Sequence, residues 1–170
     1  SKFKMNKRKK VFGPAPNQKK PMKVYILMGQ SNMVGMGDIV GKGNKDAFGS
    51  LEYIIKKENK YTHLMDKDGN WVIRNDVYFV DLTNGREAEW LTIAKNRRYG
   101  VETQFGHLLG EYHDETVLVI KAAQGNRSIS HDITPPSSRS SKAKIGTYYQ
   151  GWQYDIFVGN IRNTLDNLQE

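Results

Sequence analysis

Ser31 stands three residues after the apolar run 24–28, inside Gly29-Gln30-Ser31-Asn32-Met33. A serine lifted on a tight turn at the end of a strand can attack an acyl carbon, while backbone N–H groups of that turn face the developing oxyanion. Spacing alone leaves two other roles open. The serine could cap a helix, or the turn could cradle a phosphate. The glycines at 29, 35 and 37 match neither G-x-G-x-x-G nor a Walker loop, so both nucleotide fingerprints fail. A second segment, Lys121-Ala122-Ala123-Gln124-Gly125-Asn126-Arg127-Ser128, follows another apolar run. Gly125 has no side chain in the way of a substrate, so its N–H could be a second oxyanion donor; an ordinary loop glycine is the plainer reading.

Serine attacks only when a base takes its proton. Four histidines are present. His63 precedes a turn. His107 falls off the apolar face of its segment and is expected in solvent. His113 lies near a helix C-terminus, where a positive ring is favoured. His131, beside Asp132 in the segment after Gly125, is the nearest substitute base.

The elements that must position these residues follow from patterning. Apolar runs without alternation, at 24–28 and Thr116–Ala123, predict strands buried on both faces, as in a parallel sheet. Val77 to Val80 is a further extended candidate. Asp66-Lys67-Asp68-Gly69-Asn70 predicts a hairpin turn. Val101, Phe105, Leu108, Leu109 and Tyr112 share a helical face, with Gly106 and Gly110 allowing close packing. Tyr154, Val158, Ile161, Leu165 and Leu168 define a second amphipathic helix. Residues 38–62 and 124–147 read as irregular. This is α/β grammar, and the ligand site of such a sheet lies at the carboxyl ends of its strands. The segments after Met28 and after Ala123 should therefore open at one edge.

Composition bounds the class. The chain has 170 residues, enough for one domain with a real core. Hydrophobic residues make up 38%, too many for a disordered chain despite a mean hydropathy of -0.67. No apolar run approaches the ~20 residues of a membrane helix. There is no cysteine, which removes disulfides, thiolate metal ligands and thiol nucleophiles. The net charge of +8 belongs to one end: nine of 26 basic residues lie in 1–23, where there is no acid. Residues 1–22 therefore read as a basic extension or linker, and residues 24–170, with 17 basic against 18 acidic residues, are near neutral. The extension carries no series of base-stacking aromatics, so no nucleic-acid partner is expected; a basic-tailed binder of acidic polymers is the reading it would support.

Taken in order, these blocks resemble a family. Gly29-Gln30-Ser31-Asn32-Met33 is similar to the first block of SGNH-type esterases, in particular their carbohydrate branch, the sialate O-acetylesterase and acetylxylan esterase domains. Gly100-Val101-Glu102 resembles that branch's Gly-Pro-Glu segment, with valine for proline. Residues 121–128 resemble its Lys-x-Ala-x-Gly-Gly-x-Ser segment, with Asn126 for the second glycine.

The resemblance implies a three-layer α/β/α sandwich with a parallel sheet, the flavodoxin-like SGNH hydrolase fold. Ser31 would be the nucleophile, and the N–H groups of Ser31 and Gly125 the oxyanion hole. Gln30, Asn32, Gln124 and Asn126 would support the site, with Glu102 a conformational support rather than a catalyst. The implied reaction removes acetyl groups from sugar hydroxyls through an acyl-enzyme, with no metal and no cofactor. Its substrate is an acetylated carbohydrate, its location secreted or periplasmic, and it has no membrane partner. The family's Asp-x-x-His block does not occur here. Residues 23–170 are thus expected to be the N-terminal portion of such a domain, ending after the third strand–helix unit. Little or no hydrolase activity is expected of it alone, and self-association through an unpaired sheet edge is anticipated. The competing reading is a non-catalytic carbohydrate-binding or scaffold module of the same fold.

Overall fold

A computed structural model of the protein describes residues 16, 20–41, 48–83, 85, 87–94, 98–142 and 144–168. Apart from Pro16 and residues 20–22, the basic extension lies outside the described residues.

The central sheet has four strands: β1 (Met22–Gly29), β3 (Val77–Asp81), β4 (Glu87–Trp90) and β6 (Thr116–Ala123). Their order is β1-β6-β3-β4, with β1, β6 and β3 parallel and β4 antiparallel at the far edge. Strand β6 is central and buried from Val117 to Ala123, as its apolar run, interrupted only by Lys121, predicts. Alternation splits the core in two. Tyr25, Leu27, Val77, Phe79, Val117 and Val119 face helix α3 (Val101–Tyr112), while Val80, Leu118, Ile120 and Ala122 face helix α4 (Trp152–Asp166). The mostly parallel sheet between helices fits the SGNH-like α/β fold.

Strand β1 departs from its expected burial. It is an edge strand, with β6 as its neighbour among the described residues. Val24 is 44% exposed and Ile26 49%. Both belong to the α4 side, and α4 packs over β6 without covering β1.

Both long helices are rotated from the faces their apolar residues imply. In α3 the buried residues are Glu102, Thr103, Gly106, His107 and Leu109, while Val101, Leu108 and Tyr112 are exposed. The glycines explain this. A Cβ at Gly106 would run into Leu91 Cδ2, and one at Gly110 would lie 2.8 Å from Val77 Cγ2. The glycine stripe therefore lets the helix backbone press onto the sheet. Val101, Phe105 and Leu108 line instead an apolar groove of about 470 Å³ shared with Leu51, Leu64 and Tyr99. His107 goes inward with the stripe, not into solvent. In α4 the buried residues are Gln153, Phe157, Ile161 and Thr164, about one residue's rotation from the expected set.

The segment read as irregular between 38 and 62 contains helix α2 (Leu51–Glu58). Ser50 caps it by accepting the N–H of Tyr53, and Asn59 ends it in the left-handed region at φ 54°. Its Leu51 and Ile55 form a satellite core with Ile39, Leu64 and Ile93. The hairpin at 66–70 forms as expected: Met65 bridges Trp71, and Asp66 Oδ1 accepts the N–H groups of Asp68 and Asn70. A small antiparallel pair, β2 (Gly37–Asp38) with β5 (Arg98–Tyr99), lies outside the main sheet. In the long segment before α4, β7 (Lys144–Ile145) and β8 (Tyr148–Tyr149) form a short hairpin.

Candidate active site

Register decides whether the two chemically suggestive turns meet. In the parallel β1–β6 ladder Gly29 is opposite Ala123, and the N–H of Gln124 donates to the carbonyl of Gly29 at 3.1 Å. Residues 30–31 and 124–125 therefore leave the same carboxyl edge of the sheet side by side, as the α/β grammar requires.

After β1 the chain turns into a four-residue helix, α1 (Ser31–Val34). Ser31 is its first residue, so its N–H has no acceptor within the helix. Gln30 occupies the cap position and makes no side-chain cap, so Ser31 is not a capping serine. The Ser31 hydroxyl is exposed and donates to Gln30 Oε1 at 2.8 Å. Asn32 is exposed next to it.

Gly125 is not demanded by its own backbone or packing. Its φ lies outside the left-handed region, and a Cβ there would meet nothing within 4 Å. The space beside its peptide is open. Asn126, by contrast, sits at φ 56°. That is the left-handed region glycine favours and asparagine tolerates, which accounts for Asn126 where the resembling segments carry glycine.

The turn bearing Ser31 is fastened from beneath by Lys121, which heads the 121–128 segment and to which the motif reading gave no role. Lys121, on β6, is 2% exposed. Its Nζ donates to the carbonyl of Val34 at 3.1 Å, the last residue of α1. It also lies 3.2 Å from Glu102 Oε2 and 3.4 Å from Asp81 Oδ2. Glu102 Oε1 in turn accepts the N–H of Gly100 at 3.1 Å. One ammonium thus joins α1, β3, β6 and the start of α3. The one signal for it was a lone charge in a strand otherwise buried on both faces, since a charge is held there only if paired.

A second fastening is steric. Gly35 has φ 86°, and a Cβ on it would come within 2.8 Å of Gly100 N and Tyr99 O, and nearer still to Gly100 Cα. The end of α1 and the start of α3 touch backbone to backbone.

Each histidine has surroundings of its own. His63 is hydrogen bonded to Gln104 at 2.7 Å, and His113 to Tyr25 at 2.6 Å. His107 is buried beside Arg74 and His63; burial, then those two neighbours, pushes its imidazole down to about 4. His131 Nε2 is shut from solvent without a hydrogen-bond partner, and its peptide N–H donates to Ser128 Oγ. Asp132 accepts the Ser128 N–H at 2.7 Å and the Trp152 indole N–H at 3.0 Å, and these bonds hold its carboxyl below the usual range, the Ser128 bond foremost. Among the described residues, the side chain bonded to Ser31 is Gln30. No group of three or more His, Asp or Glu among them is arranged to hold a metal ion, and no helix is long and apolar enough to cross a membrane.

Fold and site together define an α/β protein with a serine turn and a glycine turn abutting at the carboxyl edge of a largely parallel sheet. The family model described as carbohydrate esterase, sialic acid-specific acetylesterase, matches residues 21–167. The chain belongs to that family, whose general activity is carbohydrate acetyl-ester hydrolysis on acetylated carbohydrate. No curated protein and no solved structure matches it.

Proposed function

We propose that this chain carries the nucleophile and oxyanion hole of a serine carbohydrate O-acetylesterase. Ser31 Oγ attacks the acetyl carbonyl carbon of a sugar ester as its proton passes to a base from solution, and the N–H groups of Ser31 and Gly125 receive the oxyanion. The tetrahedral intermediate collapses by expelling the sugar alkoxide, which takes a proton. Water then hydrolyses the acetyl-serine. Glu102 supports the turn through Lys121, and Gln30, Asn32, Gln124 and Asn126 frame the edge. The single observation that carries this reading is the register that sets Gly29 opposite Ala123, beside an exposed Ser31.

The Ser31 hydroxyl proton points to Gln30, which is not a base. Aryl acetate turnover by this chain is therefore expected to be low, dependent on Ser31, and accelerated by added imidazole as a soluble base. If wild type and Ser31→Ala respond equally to imidazole, Ser31 is no nucleophile. Strong Ser31-dependent turnover without imidazole would place a base within the chain and overturn the account of Gln30.

The same hydrogen bond favours a second reading, a carbohydrate-binding module of this fold without catalysis. It predicts sugar binding with no Ser31-dependent turnover under any base. The free edge of β1 is also proposed as a self-association surface. Polymer substrates would place the protein outside the cell, in the periplasm or secreted.

A further inference from the structure

Two residues beyond Gly125, Arg127 lays its guanidinium 5.0 Å from the ring centroid of Trp152. Tyr148 stacks on the same indole at 4.3 Å with 29° between the planes. Both Tyr148 and the Arg127 guanidinium therefore pack against the Trp152 indole. Arg127, Trp152 and Tyr148 thus form three successive tiers of contact, and the Arg127 Cα stands at most about 7 Å from that of Gly125.

Every inner tier is locked. Arg127 Nε donates to Gln153 Oε1 at 2.9 Å, and the Trp152 indole N–H donates to Asp132 Oδ1 at 3.0 Å. The outer tier is open. Tyr148 is 53% exposed, and among the described residues its hydroxyl makes no hydrogen bond. Its hairpin partner Ile145 is exposed too. A fixed aromatic face with a free hydroxyl at its edge offers apolar contact and a hydrogen bond at small ordering cost.

We propose that the outward face of Tyr148 is a stacking subsite for a pyranose ring of an oligosaccharide, separate from the acetyl-bearing ring at Ser31. The C–H face of the sugar would lie on the phenol ring, with its hydroxyls left to water and to the Tyr148 hydroxyl. This deepens the acetylesterase reading, on which its choice of ligand rests: the substrate is an oligosaccharide or polymer rather than a free monosaccharide.

Calorimetric titration of the full chain with two unacetylated probes, xylohexaose and 3′-sialyllactose, tests it. At least one should bind, with a change in tryptophan emission. Tyr148→Ala should weaken that binding about tenfold or more, and Tyr148→Phe should retain most of it. Far-UV circular dichroism checks that both variants fold. Binding of neither probe, or equal binding by Tyr148→Ala and wild type, overturns the subsite. A Tyr148→Ala effect on sedimentation without one on affinity makes the face a protein contact and overturns it as well. Tyr148-dependent binding without Ser31-dependent turnover leaves the subsite standing and removes only the hydrolase reading.

Discussion

Lys121 Nζ lies 3.2 Å from Glu102 Oε2, and the two residues are 2% and 4% exposed. The pair is an ion pair by distance rather than an aligned hydrogen bond. Removing Lys121 leaves Glu102 buried without a cation, which costs about 3–5 kcal/mol, whereas removing the Glu102 charge leaves Lys121 paired with Asp81. Lys121→Met should lower stability by that order, Glu102→Gln by less because Asp81 still faces the ammonium, and the double variant by clearly less than their sum. Urea denaturation of the four proteins measures the coupling. Additive losses would show that the two do not act as a pair. Because Lys121 also holds the Val34 carbonyl, Lys121→Met should lower any Ser31-dependent turnover through kcat more than KM.

Gly35 cannot become alanine cheaply. At φ 86° an L residue is strained, and the new Cβ would press on the backbone of Gly100. Strain and overpacking together should cost on the order of 2–4 kcal/mol. Gly125→Ala is the contrast. Its Cβ would enter open space, so stability should change by less than about 1 kcal/mol. Ser31-dependent turnover should nevertheless fall if a substrate approaches there. Equal destabilisation by the two substitutions would refute the distinction.

His107 makes stability depend on pH. Its imidazole is held at about 4 when folded, against 6.5 for the free group. Between these values the unfolded chain binds the extra proton, so acid favours unfolding. The contribution is complete above pH 6.5 and is lost as pH falls to about 4, amounting to on the order of 3 kcal/mol. Arg74, Asp76, Glu111 and His63 are the charged or titratable neighbours that act on it. Thermal unfolding across this range should show the slope, and His107→Gln should flatten it. An unchanged slope in that variant would assign the effect elsewhere.

Strand β1 presents Val24 and Ile26 on an uncovered face beside its free edge. Sedimentation velocity should show association that grows with concentration. Val24→Lys with Ile26→Lys should suppress it, since charges on an edge strand oppose pairing. A wild-type protein that stays monomeric at high concentration contradicts the proposed surface.

The strand ends were legible because a central parallel strand is apolar without interruption. That pattern located β6 and, through it, the edge where Ser31 and Gly125 lie. It misjudged β1, whose apolar run is the same but whose place at the sheet edge leaves one face bare. Helix α2 was missed although Ser50 and Asn59 mark its ends, because only Leu51 and Ile55 of it are buried and the rest is charged or partly exposed.

Local order in the residues determined β1, β3, β6 and the two long helices, where a serine turn and a glycine turn must sit, and to which family the chain belongs. Tertiary structure alone decided which helix faces turn inward and that Lys121 finds Glu102, Asp81 and Val34 at once. Those outcomes depend on strand order and on how closely a glycine stripe lets a helix approach. Both are set by contacts between residues far apart in the chain, which the local sequence signals only through Gly106, Gly110 and the lone charge of Lys121.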